Sequence, residues 1–420
     1  MSTWVEKPLG EIADLAGGVV RTGPFGAQLH QHDYVDGGAV AVVMPKDMAS
    51  GKVRFDSIAR IDDRVAEGLA EHRLLPGDIV LARRGDVGRA AWVDASDGPL
   101  LCGTGSMRIH LPVGDVLPRF LHYYLQTNAA IGWLQGQAVG ATMPNLNGAI
   151  VRALPIVYPD MVTQVAIVET LDSIEHLIEN NRRRIELLEE IAQAIYREWF
   201  VQLRYPGHEH DELVDSTLGP IPAGWTVTSL GEAGRWLSGG TPRTNVPEYW
   251  DGEIPWITSG SLTSMLLDRS DRRITQLGLA NGTRLVPRNT LLFVVRGMSL
   301  VREFRVGIAD VPVAFGQDCK AIIAGPGLHP LYLGFTVISM TDQIQSMVEL
   351  AGHGTGKLST DRLKEISLPE PPEDLQAKFV AIAGPIRDSV SYLRNATDRL
   401  VGIRDLLLPR LVTGKIDLSR

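Results

Sequence analysis

The chain has 420 residues, 44% of them hydrophobic and 21% charged, a composition that excludes a disordered chain and leaves room for two or three folded domains. Its net charge of −8 argues against a generic nucleic-acid binder, because such proteins are usually basic. The excess is −2 over residues 1–155, −4 over 156–205, −4 over 206–370 and +2 over 371–420, so any binding of DNA must rest on local arrangement of charge or on partners. No apolar run nears the roughly 18 residues of a membrane span. The opening segment lacks the basic and apolar regions of a signal peptide, and Cys102 and Cys319 offer neither a disulfide framework nor zinc spacing. A cytoplasmic protein is expected.

From the N-terminus, residues 1–155 carry short β-branched runs between Gly and Pro, such as AVAVVM and GDIVLA, interrupted by helical stretches such as PRFLHYYLQTNAAIGWLQGQ. They predict a mixed α+β domain. Residues 222–370 then repeat the same phrases in the same order. Trp4 with Leu9-Gly10-Glu11 answers Trp225 with Leu230-Gly231-Glu232, Gly17-Gly18 answers Gly239-Gly240, and DYVDGG answers EYWDGE. LPGDIVLARRG (Leu75–Gly85) answers VPRNTLLFVVRG (Val286–Gly297), and GATMPNLN before LPIVYP answers GTGKLST before SLPEPP. Gln164 and Gln376 each stand near the start of a long helical pattern. An ordered series of this kind is a tandem repeat.

Residues 156–203 and 371–420 are the helical parts. In the first, Leu171, Ile174, Ile178, Asn181, Ile185, Leu188, Ala192 and Ile195 recur at alternating steps of three and four; in the second, Ile382, Ile386, Ser389, Leu393, Ala396, Leu400, Ile403 and Leu407 do so. This is the a/d seam of a coiled coil, and Asn181 and Ser389 are polar seam positions that would fix register. Pairing the helices antiparallel buries both seams and makes a rigid spacer between two similar heads. Gly384-Pro385 predicts a kink. The connecting residues 204–221 read as a polar, solvated and flexible linker.

No constellation of acid, base and nucleophile emerges. AGHGTGKLST resembles a phosphate loop but has Ala351 and Leu358 where Gly and Ser/Thr are required. His208 and His210 in GHEHDE lack a further set of ligands nearby, so no metal site is expected.

The repeat order, the paired heptads and the phrases TGPFGAQL, GDIVLARRGDVGRAA, LLEEIAQAIYREWFVQLRYPGHE, SGGTP with YWDGEIPWITSGSL, and LLLPRLVTGKI together resemble the specificity subunit of a Type I restriction–modification enzyme. The resemblance implies two tandem α+β target-recognition domains separated by two long helices that form an antiparallel coiled coil. Each domain would read one part of a split, asymmetric site in double-stranded DNA, and the helices would set the unread spacer and dock two DNA methyltransferase subunits, with restriction/translocase subunits beyond them. S-adenosylmethionine, ATP and magnesium would belong to those partners, and this chain would hold no cofactor. Candidate DNA contacts are Arg21, Gln28, Lys46, Arg83, Arg84 and Arg108 in the first domain and Thr241, Arg243, Ser259, Arg296, Arg302, Lys320 and Lys357 in the second; an ordinary surface ion pair is the competing role for each cation. Arg84 and Arg296 would be the shared contact, and Arg83, replaced by Val295, the one particular to a head. Two other roles fit the architecture: a comparable subunit in a Type II-like methyltransferase–nuclease system, and a non-DNA adaptor with two protein-binding heads.

Overall fold

The computed structural model describes residues 4–26, 28–140, 144–351 and 354–416. Two compact units divide the chain: one holds the residues up to Glu179 with those from Asp398 on, the other runs from Asn180 to Thr397. Among the described residues no helix is long and apolar enough to cross a membrane.

In the first unit a six-stranded sheet runs in the order Val19–Thr22, Ser106–His110, Ile79–Ala82, Ala90–Trp92, Lys52–Val53, Met48–Ala49. A four-stranded sheet is ordered Ala59–Ile61, Val40–Val43, Leu100–Cys102, Arg73–Leu74, with its middle pair parallel. The second unit repeats this arrangement. Gly234–Ser238, Cys319–Ala324, Leu291–Val294, Val306–Ala309 and Leu266–Leu267 form one sheet; Arg273–Ile274, Trp250–Ile257, Val313–Phe315 and Leu285–Val286 form the other, again with a parallel middle pair. The repeat read in the sequence is thus realised in the order of the shared strands, with one further edge strand, Met48–Ala49, in the first unit.

A third ladder closes each head. Val5–Pro8 pairs with Pro155–Tyr158, and Thr226–Ser229 with Ser367–Glu370, both antiparallel. The repeated Leu-Gly-Glu phrase follows the first strand of each pair. A Cβ on Gly10 would stand 3.0 Å from the Arg152 Cβ, and one on Gly231 3.0 Å from the Lys364 Cβ, so glycine permits the same close approach twice. Pro155–Tyr158 carries the first head three residues past the expected edge at 155.

The first long helix, Met161–Tyr196, ends in a π turn over Arg197–Val201; the second spans Glu373–Leu411 and stays helical through Gly384-Pro385. Asp160 accepts from the Thr163 N–H (2.9 Å) at the first helix start, and Glu373 and Asp374 place negative charge in the first turn of the second. One turn in, the two glutamines perform the same task. Gln164 is 0% exposed; its amide nitrogen donates to the carbonyls of Pro159 (2.9 Å) and Asp115 (2.8 Å), and its oxygen accepts from the Leu117 N–H (2.8 Å). Gln376, 1% exposed, donates to Pro371 (2.8 Å) and Gly327 (2.7 Å) and accepts from the His329 N–H (2.8 Å). Leu117 and His329 immediately precede the prolines that open the buried helices Pro118–Leu125 and Pro330–Ser339. Each glutamine therefore latches a long helix to the core helix of its own head.

Within the first unit, Ile167 and Leu171 share a core with Leu408, Leu411 and Val412, and Glu175 pairs with Arg404 at 2.9 Å. Within the second, Ala192, Tyr196 and Phe200 share a core with Phe379, Ala383 and Val390, and the ring of Phe200 meets that of Phe379 edge-on at 5.3 Å. Aromatic pairs of this kind add about 1 kcal/mol beyond area burial.

On the first helix Leu171 and Ile178 are buried, and Ile174, Asn181, Ile185, Leu188 and Ile195 half-buried. The second helix departs from its expected register. Its interior positions are Phe379, Ala383, Val390, Leu393, Thr397, Leu408 and Leu411, with Arg404 nearly covered. Ile386, Ala396, Leu400 and Leu407 are half-buried, Ser389 is exposed, and Ile382 and Ile403 are 39% and 47% exposed. The three–four alternation runs in the opposite phase because polar groups fill two interior positions. Thr397 returns its hydroxyl to the Leu393 carbonyl (2.8 Å), and Arg404 is neutralised by Glu175, so a reading by apolarity passes over both.

The connecting segment is mostly exposed, as expected of a solvated linker, but is anchored at both ends. Tyr205 is buried against Trp225, with ring centroids 5.7 Å apart, and Leu213–Val214 pairs with Ile221–Pro222.

Replacing Gln164 or Gln376 by Ala leaves two carbonyls and one N–H unpartnered in the interior, a loss of about 2–4 kcal/mol. Chemical denaturation should show the midpoint of the affected unit falling; an unchanged midpoint would remove the latch role.

Candidate nucleic-acid interface

The repeated phrase builds the same corner in each head. Ile79–Ala82 and Leu291–Val294 are buried at all four positions, as befits central strands covered on both faces. Each is preceded by a left-handed residue, Gly77 at φ +90° and Asn289 at φ +67°, of the two types that adopt this conformation most readily. Asp78 follows Gly77 and is 0% exposed. Its carboxylate accepts from the Leu75 N–H (2.7 Å) and the Arg108 Nε (2.7 Å) and lies 2.7 Å from His110 Nδ1. Arg108 is thus an internal counter-ion.

Arg83 lies in the interior and not at the surface. It is 6% exposed, as Val295 is 8%, and the two residues do the same backbone work: the Arg83 carbonyl accepts from the Leu146 N–H and the Val295 carbonyl from the Leu358 N–H, both at 2.9 Å. Burial, and then the charge of Arg84, lowers the guanidinium pKa below its ordinary value, and the Arg83 Nε has no hydrogen-bond partner among the described residues. The side chain that distinguishes the two phrases therefore points away from solvent.

The next residue is the exposed one. Arg84 bridges antiparallel to Asn145, which bridges Val139; Arg296 pairs with Lys357, which pairs with Glu349. Both heads thus carry a short ladder whose outer rung is an arginine. Residues 141–143 and 352–353, which fall in GATMPNLN and AGHGTGKLST, lie outside the described residues.

The remaining candidates divide by partner. Arg21 pairs with Glu71 at 2.8 Å, Lys46 donates to the Ser57 carbonyl (3.2 Å), Lys320 donates to the Ser238 hydroxyl (2.7 Å), and the Gln28 oxygen accepts from the Phe25 N–H (3.0 Å). Arg84, Arg243, Arg296, Arg302 and Lys357 are exposed and have no acidic partner among the described residues. Thr241 is exposed, and Ser259 is half-buried beside Gly297. In the second head Arg296, Lys320 and Lys357 converge on one cleft of about 570 Å³ with Gln317, Asp318 and Asp361 on its walls. The corresponding convergence in the first head is Arg84 with Asn145. Neither Asn145 nor Gln317 carries a charge or falls in a basic run, so a search for cations misses both. Unpaired guanidinium and ammonium groups at a sheet edge can bind phosphate or the acceptor edge of guanine.

Arg108→Ala leaves the Asp78 carboxylate buried with one cation fewer, a loss of about 3 kcal/mol, whereas Arg84→Ala removes an exposed side chain and should leave the midpoint within about 0.5 kcal/mol of wild type. Thermal unfolding of the two variants checks the sorting; equal losses would refute it.

The chain matches the family described as Type I restriction modification DNA specificity domain over residues 1–190 and 222–387. It is 26% identical to the Type I restriction enzyme MjaIX specificity subunit of Methanocaldococcus jannaschii, covering 98% of this chain and 93% of that one. It is 23% identical to the HindI specificity subunit of Haemophilus influenzae, covering 99% and 100%. Over 178 residues, 42% of this chain and 44% of the relative, it is 31% identical to the EcoR124I/EcoR124II specificity subunit of Escherichia coli. A crystal structure of a Type I restriction–modification S subunit from M. genitalium shares the fold, with a TM-score of 0.60 and 15% identity over 98% of this chain and 96% of that one. With both halves matched and both heads built alike, the chain belongs to the Type I restriction–modification DNA specificity family, a non-catalytic DNA-binding subunit whose enzymatic partners are separate chains.

Proposed function

We propose that each head binds one part of a split DNA site and that the two long helices pair antiparallel to set the distance between the parts. The observation that carries this reading is the duplicated corner: a buried central strand followed two residues on by an exposed arginine without an acidic partner among the described residues, held in both heads by the same backbone bonds. Two alike but unequal surfaces suit two different short sequences, because the major groove offers a distinguishable pattern at every base pair. The helix contacts within each unit support the pairing, as do the glutamine latches that orient each helix on its head.

With a net charge of −8, the chain takes part of its DNA affinity from modification subunits docked on the helices, which complete a positively charged clamp. S-adenosylmethionine, ATP and magnesium act in those subunits and in the restriction subunits. The account predicts adenine methylation at a bipartite motif in a host that carries this chain with its modification partner. Exchanging residues 222–370 for the corresponding head of a relative should change one half of the motif and leave the other intact. Sequencing of methylated bases reads the outcome, and changes in both halves would contradict separable readers.

A further inference from the structure

The two corners differ at one position in a way that bears on which bases are read. The residues flanking it are matched in role. Leu146 and Leu358 are both buried and donate to Arg83 and Val295, and Asn147 and Ser359 each cap the short helix that follows, accepting from the N–H groups of Ile150 and Arg362. Between this common scaffold and the shared arginine lies Asn145 in the first head and Lys357 in the second. Residues directly opposite one another on antiparallel strands project from the same face, with Cβ atoms about 5 Å apart. Asn145, half-buried, is therefore beside the exposed Arg84, and Lys357, exposed, lies between Arg296 and Glu349.

Neither side chain is spent inside the protein. Lys357 is exposed and has no acidic partner among the described residues. The Asn145 oxygen is covered and has no hydrogen-bond partner among the described residues, a costly arrangement that is relieved when the amide turns onto a ligand offering a donor. Lys357 also lines the cleft that holds Arg296.

We infer that Asn145 and Lys357 are specificity-determining residues, each forming with its neighbouring arginine a two-residue reader of one base step in its half-site. This rests on the proposed reading of DNA by the two heads and adds to it the residue that makes them differ. The chemistry sets the preference. An arginine binds guanine O6 and N7; an asparagine amide both donates and accepts, matching adenine N7 and N6; a lysine only donates and so suits guanine. The first head reads adenine next to guanine, and the second reads guanine at both positions.

The test uses the chain assembled with its modification subunits and a library of randomised DNA duplexes, with bound sequences determined for the wild type, Asn145→Lys and Lys357→Asn. Asn145→Lys should shift one position of one half-site from adenine towards guanine by roughly ten-fold, and Lys357→Asn should make the reverse shift in the other half-site. Asn145→Ala, which adds no bulk, should relax the preference at that same position and keeps the test open if Asn145→Lys fails to fold. An unchanged motif in the variants, or uniformly weaker binding with the motif intact, would place both residues on phosphates and overturn the inference. A wild-type complex that selects no bipartite motif would instead remove the underlying reading, and this inference with it.

Discussion

A buried side-chain amide at the first turn of each long helix is the constraint on which the rest of the structure depends. A helix is a stiff rod, so its direction is settled by whatever fixes its first turn. Gln164 and Gln376 do this with all three of their bonds directed at backbone groups, two carbonyls and one N–H, in a place that excludes water. The planar amide has little freedom to satisfy three partners at once, and leaving any of them unmet in the interior costs about 1–3 kcal/mol. One carbonyl and the N–H belong to residues that lead into the buried helix of each head, where Pro118 and Pro330 fix the backbone, and the other carbonyl, of Pro159 or Pro371, to the lead-in of the long helix itself. Each head and the start of its helix consequently behave as one piece.

The second governing feature is how charge is used. The chain is acidic overall, and many of its basic side chains are committed internally: Arg108 to Asp78, Arg404 to Glu175, Arg394 to Asp268, Arg288 to Asp310 and Asp388. These pairs join strand to strand, or a long helix to what packs on it within its unit. Arg84, Arg296 and Lys357, which have no acidic partner among the described residues, lie on the short ladders that follow the repeated phrase. A protein of this net charge can still attract a polyanion there, because exposed charges more than about 10 Å apart are largely screened at ordinary salt.

Much of this order was legible in the sequence because it is carried by local signals. The Gly/Pro punctuation and β-branched runs marked the strands, and the shared phrases marked the duplication; both return as matching sheets. What was not legible depends on partners distant in the chain, or on local bonds that no pattern of apolarity marks. Arg83 reads as a surface cation until Leu146, 63 positions later, is seen to cover its backbone; only then does its match with Val295 make sense. The seam of the second helix was misphased because Thr397 and Arg404 are polar residues made interior by a hydrogen bond and an ion pair that no periodicity announces. Residues 204–221 read as a polar linker, yet Tyr205 is buried against Trp225 across a 20-residue gap. Gln164 and Gln376 were visible as a repeat, but their task appears only with their backbone partners.

The central claim is that two separately built heads read DNA at a distance set by the long helices. Inserting seven residues at matched positions of both helices keeps the seam in phase and lengthens each by about 10 Å, equal to about three base pairs of rise. Sequencing of methylated bases in a host carrying the lengthened chain and its modification partner should show the same two half-sites with a longer unread spacer. An unchanged spacer, or altered half-sites, would contradict the account.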